Sequence, residues 1–280
     1  MSSPTEMSEE RVFGPFVPRL TRRDLGELGQ SRELLVLLGL RDLKSRYRQT
    51  ALGVSWVILQ PLIAAATFTF VFSRVAHLQA PGKSYFIFVF SGLLAWTFFS
   101  SHLMRTGQSL VANGGLVSKI YFSRLALPAS VAIASGVDLA VGLVVLAVSL
   151  VVTGSGIGLP ILLAPAWLLL LLLLSSGLGV ILGGIQVYYR DAAQVVGVGI
   201  QLLLFLSPVA YSSAQVPAAY RTYYHLNPIA PLIEGFRWSL GQGPLPQTNY
   251  LVYGAVAALV CIVLGPSLFK RMEGGFADVI

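Results

Sequence analysis

Charge is scarce in this chain. Asp, Glu, Lys and Arg make up 11% of its 280 residues, less than half the roughly 25% of a soluble domain. Apolar residues reach 55%, more than water tolerates on an exposed surface and what a lipid interior demands. Cysteine is nearly absent. A single Cys261 excludes an internal disulfide and a cysteine-based zinc site, and its place in an apolar run reads as a small buried hydrophobe. The histidines, His77, His102 and His225, have no metal-ligand spacing. The phosphate-cradling pattern Gly-x-x-x-x-Gly-Lys-Ser/Thr is missing: Gly114 and Gly115 precede Lys119, but no Gly-Lys-Ser/Thr follows. ATP hydrolysis by this chain alone is therefore not expected. The N-terminal stretch carries Glu6, Glu9, Glu10, Asp24 and Glu27 without an apolar core, so no cleavable signal peptide is read.

What the chain does have is long charge-free apolar runs. A bilayer core about 30 Å thick takes about 20 helical residues. Spans are expected at about 52–73, 85–104, 126–152, 161–187, 194–211 and 249–269. The glycines and proline of 153–160 separate the third from the fourth. The predicted fold is an all-α integral membrane protein of six transmembrane helices. Residues 1–50 form a cytoplasmic N-terminal segment with an interface helix at about 31–48. Residues 51–272 form the transmembrane domain, and 273–280 a cytoplasmic tail. The segment from Ser212 to Thr248, with Leu232, Ile233, Phe236 and Leu240 at helical spacing, predicts short re-entrant or surface helices before the last span.

The formal charge of +7 is placed by topology. Even six spans put both termini on one side. Making that side cytoplasmic puts Arg41, Lys44, Arg46, Arg48, Arg105, Lys119, Arg124, Arg190, Lys270 and Arg271 inside, and only Arg74, Lys83, Arg221 and Arg237 outside. Bases beside apolar spans point to membrane lipid and not to nucleic acid. In the interface helix, Val36, Leu40, Leu43 and Tyr47 form one apolar stripe and Arg41, Lys44 and Arg48 a basic face. Ser31 is the expected cap and Glu33 suits the positive end of the helix dipole.

Asp138 is the only acid inside an expected span. Such a residue is a functional candidate, since burying its charge costs at least about 2.5 kcal/mol; a packing or wet position is the other reading. Ser55 and His102 offer the sole hydrolytic pairing, and only if the two meet. Gly177, Gly179, Gly183 and Gly184 give the fourth span a small-residue face for close packing within the chain. Aromatics crowd several span ends. An interfacial belt accounts for most of them; Trp56, Phe88, Trp96 and Phe99 are also candidates to line a conduit for a sliding sugar polymer.

A set of short motifs, in order, carries a family likeness. Arg41-Asp42-Leu43-Lys44-Ser45-Arg46-Tyr47-Arg48-Gln49-Thr50 leads to Leu52-Gly53, Ser55-Trp56 and Gln60-Pro61. Then come Phe90-Ser91-Gly92-Leu93-Leu94-Ala95-Trp96, residues 113–119, Tyr121-Phe122-Ser123-Arg124 with Pro128, Tyr189-Arg190-Asp191, Ser207-Pro208 and Asn227-Pro228. Over roughly residues 32–272 the chain resembles polysaccharide ABC exporter permeases of the O-antigen type. The resemblance implies a homodimer around a central conduit, with two copies of a separate ATP-binding subunit beneath. That subunit would bind ATP and Mg, and this chain would hold no cofactor and no metal. The loop 107–124 matches the family's coupling helix, with Asn113, Leu116, Lys119 and Arg124 as contacts to the ATPase. Arg46 and Arg48 would steer the pyrophosphate of a lipid-linked glycan leaving the cytoplasm across a bacterial inner membrane. Capsule polysaccharide or teichoic acid are alternative cargoes. An intramembrane enzyme acting on polyprenyl-linked substrates is the distant alternative.

Overall fold

A computed structural model describes residues 32–47, 55–82, 84–117, 123–155 and 158–273. The described residues are helices and connecting turns. The order is α1 (Arg32–Tyr47), α2 (Ser55–Thr69), α3 (Tyr85–Ala112), α4 (Gly114–Val117), α5 (Ala126–Val152), α6 (Ala164–Tyr188), α7 (Ala192–Phe205), α8 (Ala218–Tyr224), α9 (Ile229–Ser239) and α10 (Thr248–Glu273). A wider π-type turn, Phe70–Val75, continues α2, and a 3₁₀ turn, Leu159–Leu163, leads into α6. In lipid every backbone polar group must find its partner inside the element, so charge-free runs of this composition become helices.

Among the described residues, five segments are long and apolar enough to cross a bilayer: Ile58–Val75, Tyr85–Ala112, Ala126–Val152, Leu159–Tyr188 and Thr248–Glu273. The expected span at 194–211 is met by α7, which has 14 residues, about 21 Å at 1.5 Å per residue. It stops before Ser207-Pro208, where the chain turns. The second span runs eight residues past its expected end at 104, to Ala112. Arg105 does not end it, because Asp138 of α5 meets that charge at 2.6 Å.

α3 is the central helix, and its Phe90, Phe99 and Leu110 are among the most deeply buried side chains. α6 packs on two neighbours through its glycines. A Cβ on Gly179 would sit 2.6 Å from the Thr106 side chain of α3, and one on Gly183 would press on the Gly107 carbonyl at 3.2 Å. On its other side, a Cβ on Gly177 would collide with the backbone of Cys261 in α10, and one on Gly265 would lie 2.5 Å from the Gly177 carbonyl oxygen. The small-residue face read from the sequence therefore serves contacts within the chain, on two sides of one helix. α2 is peripheral: Ala65 is its only fully buried apolar residue among those described, and Ile63 and Phe70 are exposed.

α1 docks on α5 through Leu38 and Gly39. Leu38 is buried, and a Cβ on Gly39 would lie 2.8 Å from Ile133. Val36 and Leu40 of the predicted apolar stripe point away from the bundle and are exposed. One face of α1 thus meets the bundle, and the Val36–Leu40 face is open to lipid or a partner. Ser31 lies outside the described residues.

Candidate functional site

At the α1 end of the bundle, polar side chains converge. The Arg41 guanidinium donates to Asn113 Oδ1, and Asn113 Nδ2 donates to the Ser109 carbonyl at 2.8 Å. This ties α1 to the end of α3, immediately before α4. Leu116 in α4 packs against the cluster of Leu38, Leu110 and Phe269. Arg124 reaches Glu273 at the end of α10, with Nε 3.5 Å from a carboxylate oxygen and Nη1 donating to the Glu273 carbonyl at 3.3 Å. Tyr188 donates to the Met272 carbonyl at 2.7 Å. Asn113, Leu116 and Arg124, three expected coupling contacts, thus lie at the same end as α1. Lys119 and Arg48 fall outside the described residues. Arg46 lies in the last turn of α1, and its side chain is outside them too.

A cleft of about 170 Å³ opens beside this cluster, lined by Arg41, Arg105, Gln108, Asn113 and Ser130. Asp138 stands close by, held by the Arg105 salt bridge with the two side chains one-third and one-fifth exposed. Its sequence position suggested an isolated charge; the structure supplies a counter-ion.

The four expected conduit aromatics do not share a surface. Trp56 on α2 is 45% exposed. Phe88, Trp96 and Phe99 are at most 5% exposed, packed inside the chain because α3 is its central helix. Trp96 and Phe99 contact each other at 6.0 Å between ring centres, and Phe88 lies under the Arg237 guanidinium at 3.8 Å. In one copy of the chain, only Trp56 of the four offers a ring to an outside ligand. Ser55 and His102 do not meet either. His102 Nδ1 bonds Ser135 at 3.1 Å and its Nε2 bonds Ser176 at 2.9 Å. A buried imidazole with both nitrogens engaged stitches α3, α5 and α6 together.

The opposite end holds a residue that the charge count treats only as an outer-loop base. Arg237 is 2% exposed. Its Nε donates to the Phe88 carbonyl at 3.0 Å, its Nη1 to the Tyr211 carbonyl at 3.5 Å, and its terminal nitrogens also to the carbonyls of Pro208 and Val209. The chain leaves helical geometry after α7, and its freed carbonyls find their donors in this one guanidinium. The nearby carboxylate of Glu234 instead accepts from Ser213 N and Ser213 Oγ, both at 2.8 Å. The signal was present in the sequence: Ile233, Arg237 and Leu240 fall at i, i+4 and i+7, so Arg237 sits on the apolar face of α9.

A helical bundle with five helices of membrane-spanning length among the described residues, and with a further helix docked at one end, defines a multi-pass membrane protein. The chain belongs to the ABC-2 type transporter family, whose pattern matches residues 33–240. It is 28% identical over 258 residues to an O-antigen export system permease protein RfbA of Klebsiella pneumoniae, covering 90% of this chain and 97% of that one. An O-antigen export system permease protein RfbA of Myxococcus xanthus is 29% identical, with 91% and 98% covered. A polysialic acid transport protein KpsM of Escherichia coli is 26% identical, with 84% and 92% covered. Family and relatives make this chain a transport subunit rather than an enzyme.

Proposed function

We propose that this chain is the permease subunit of an ATP-driven exporter that moves a polyprenyl-pyrophosphate-linked polysaccharide of the O-antigen type out of the cytoplasm. The observation that carries the reading is the end-to-end relationship to O-antigen export permeases, which covers nine-tenths of this chain. In this reading two copies pair in a bacterial inner membrane, with both termini cytoplasmic and α7 with its following turn counted as the sixth span. The outward faces of α2 and α7 suit pairing or lipid, with Ile63, Phe70, Val195, Leu202 and Phe205 all more than half exposed. Two ATP-binding subunits, which hold the ATP and Mg, dock at the α1 end. Asn113, Leu116, Lys119 and Arg124 transmit their movement. The hydrogen bond from Arg41 to Asn113 supports this role, because it joins the coupling segment to α1 directly. Arg46 and Arg48 draw in the carrier pyrophosphate, and Trp56 offers the first aromatic contact to the glycan.

Deleting the gene tests the proposal. Lipid-linked polymer is expected to accumulate inside the cell while surface polymer falls, with recovery on complementation. Ordinary surface polymer in the deletion strain rejects the reading. A capsule polysaccharide is the second cargo, favoured by the similarity to the polysialic acid transport protein; the chemical identity of the accumulated polymer decides between them.

A further inference from the structure

A cavity of about 280 Å³ opens at the end of the bundle opposite α1. It lies between the turn after α2, the stretch before α8, helix α9 and the loop leading to α10. Its size is near the lower end of the ~300–1,000 Å³ of small-molecule sites. The imidazole of His225 and the phenol ring of Tyr250 form a stack on its wall, 3.6 Å apart and nearly parallel at 11°. Around them stand Arg221, Glu234 and Gln242.

Gln242 is a buried part of the lining. It is 1% exposed, and its Nε2 donates to the Leu240 carbonyl at 3.4 Å. Its Oε1 lies against Gly82, closed off from the cavity. Arg221 spends Nε on the Val216 carbonyl at 2.9 Å and Nη2 on the Ala214 carbonyl at 3.1 Å. Those bonds fix its plane. The Glu234 carboxylate accepts once at each oxygen from Ser213 and keeps lone pairs for more. Burial holds the His225 imidazole below its ordinary value; Glu234 opposes that shift and Arg221 adds to it. The ring is therefore neutral at pH 7 and offers both a donor and an acceptor.

Guanidinium and carboxylate groups beside an aromatic stack match a pyranose. Its C–H face is apolar, and its rim carries neighbouring hydroxyls that donate and accept together. The lining charges, Arg221 and Arg237 against Glu234, leave one positive excess, which suits neutral or acidic sugars. We propose that this cavity is an outer-face subsite that binds one or two sugar residues of the exported glycan, with a sugar ring face on the His225–Tyr250 pair and its hydroxyls donating to the Glu234 carboxylate. The inference rests on the exporter reading above. A grip on the far side of the membrane gives a long polymer a place to rest between strokes of the ATP-binding subunits.

The test uses the full complex with its ATP-binding subunit, purified in detergent. The probe is glycan released by mild acid from the lipid-linked pool of the deletion strain, and the readout is Kd by titration. Tyr250→Ala is expected to raise Kd about tenfold, while Tyr250→Phe, which keeps the ring, stays near wild type. Co-elution with the ATP-binding subunit verifies the fold of each variant. Should Tyr250→Ala fail that check, the surface variant Arg221→Gln takes its place with the same expected direction. No saturable binding by the wild-type complex, or equal Kd in wild type and variants, overturns the subsite. A deletion strain that holds no lipid-linked pool and keeps ordinary surface polymer overturns the exporter reading instead, so the two failures are told apart.

Discussion

Arg237 sits where the chain is least regular. Between the end of α7 and the start of α8, carbonyls leave the helical ladder inside a protein whose surroundings offer little water. Three of them, on Pro208, Val209 and Tyr211, converge on one guanidinium, which also donates to the Phe88 carbonyl of α3 and lies over the Phe88 ring. An unsatisfied buried polar group costs about 1–3 kcal/mol, and replacing Arg237 orphans several at once. Arg237→Leu is therefore expected to lower stability by several kcal/mol, read as a large drop in the melting temperature of the detergent-purified protein. Arg237→Lys, a point donor without the planar fork, recovers only part of the loss. A melting temperature within a degree or two of wild type in the leucine variant would show that the clamp is dispensable. Gly92 belongs to the same device, because a Cβ there would collide with the guanidinium.

The helices divide into those that meet backbone to backbone and those that face outward. α6 is pinned between α3 and α10 by glycines on two sides, and the Gly177 contact is with α10 main chain, which cannot move aside as a side chain can. Overpacking a tight site costs about 1–3 kcal/mol even where side chains can adjust. Gly177→Val is therefore expected to fall at or above that range, measured by unfolding in detergent or by loss of folded protein in the membrane. Gly136→Ala is the control: a Cβ there meets nothing within 4 Å, so the change should be neutral or gain up to about 1 kcal/mol from helix propensity. Equal tolerance at the two positions would contradict the close packing of α6 on α10. The glycine face was readable in the sequence as spacing, but which glycine meets which neighbour was not. That assignment depends on the rotation of α6 between two partners distant in the chain.

As a whole, the molecule has two unlike ends. One carries α1, the Arg41–Asn113 link, the Arg105–Asp138 pair and the Arg124–Glu273 contact; the other carries Arg237 and the His225–Tyr250 cavity. In the proposed reading the first faces the cytoplasm, as the positive-inside distribution expects. Impermeant maleimide labelling of intact spheroplasts checks it, on a Cys261→Ala background. Tyr220→Cys, in exposed α8, is expected to react from outside, whereas Ser45→Cys, in exposed α1, should react only after permeabilisation. The opposite pattern would invert the proposed direction of transport.

Composition alone determined that this chain lives in lipid and is helical. Charge is too rare for water, and an uncharged backbone in hydrocarbon must close its hydrogen bonds within each helix. The order of motifs from Arg41 to Asn227-Pro228 likewise pointed to the transporter family, since such motifs are local strings. The tertiary structure decided what depends on partners far apart in the chain. It turned Asp138 from a lone acid into half of an ion pair, because Arg105 lies 33 positions away on a neighbouring helix. It moved Phe88, Trp96 and Phe99 from a conduit wall into the core, because α3 is surrounded. It made Arg237 a structural clamp, because carbonyls freed almost thirty residues earlier lie within its reach.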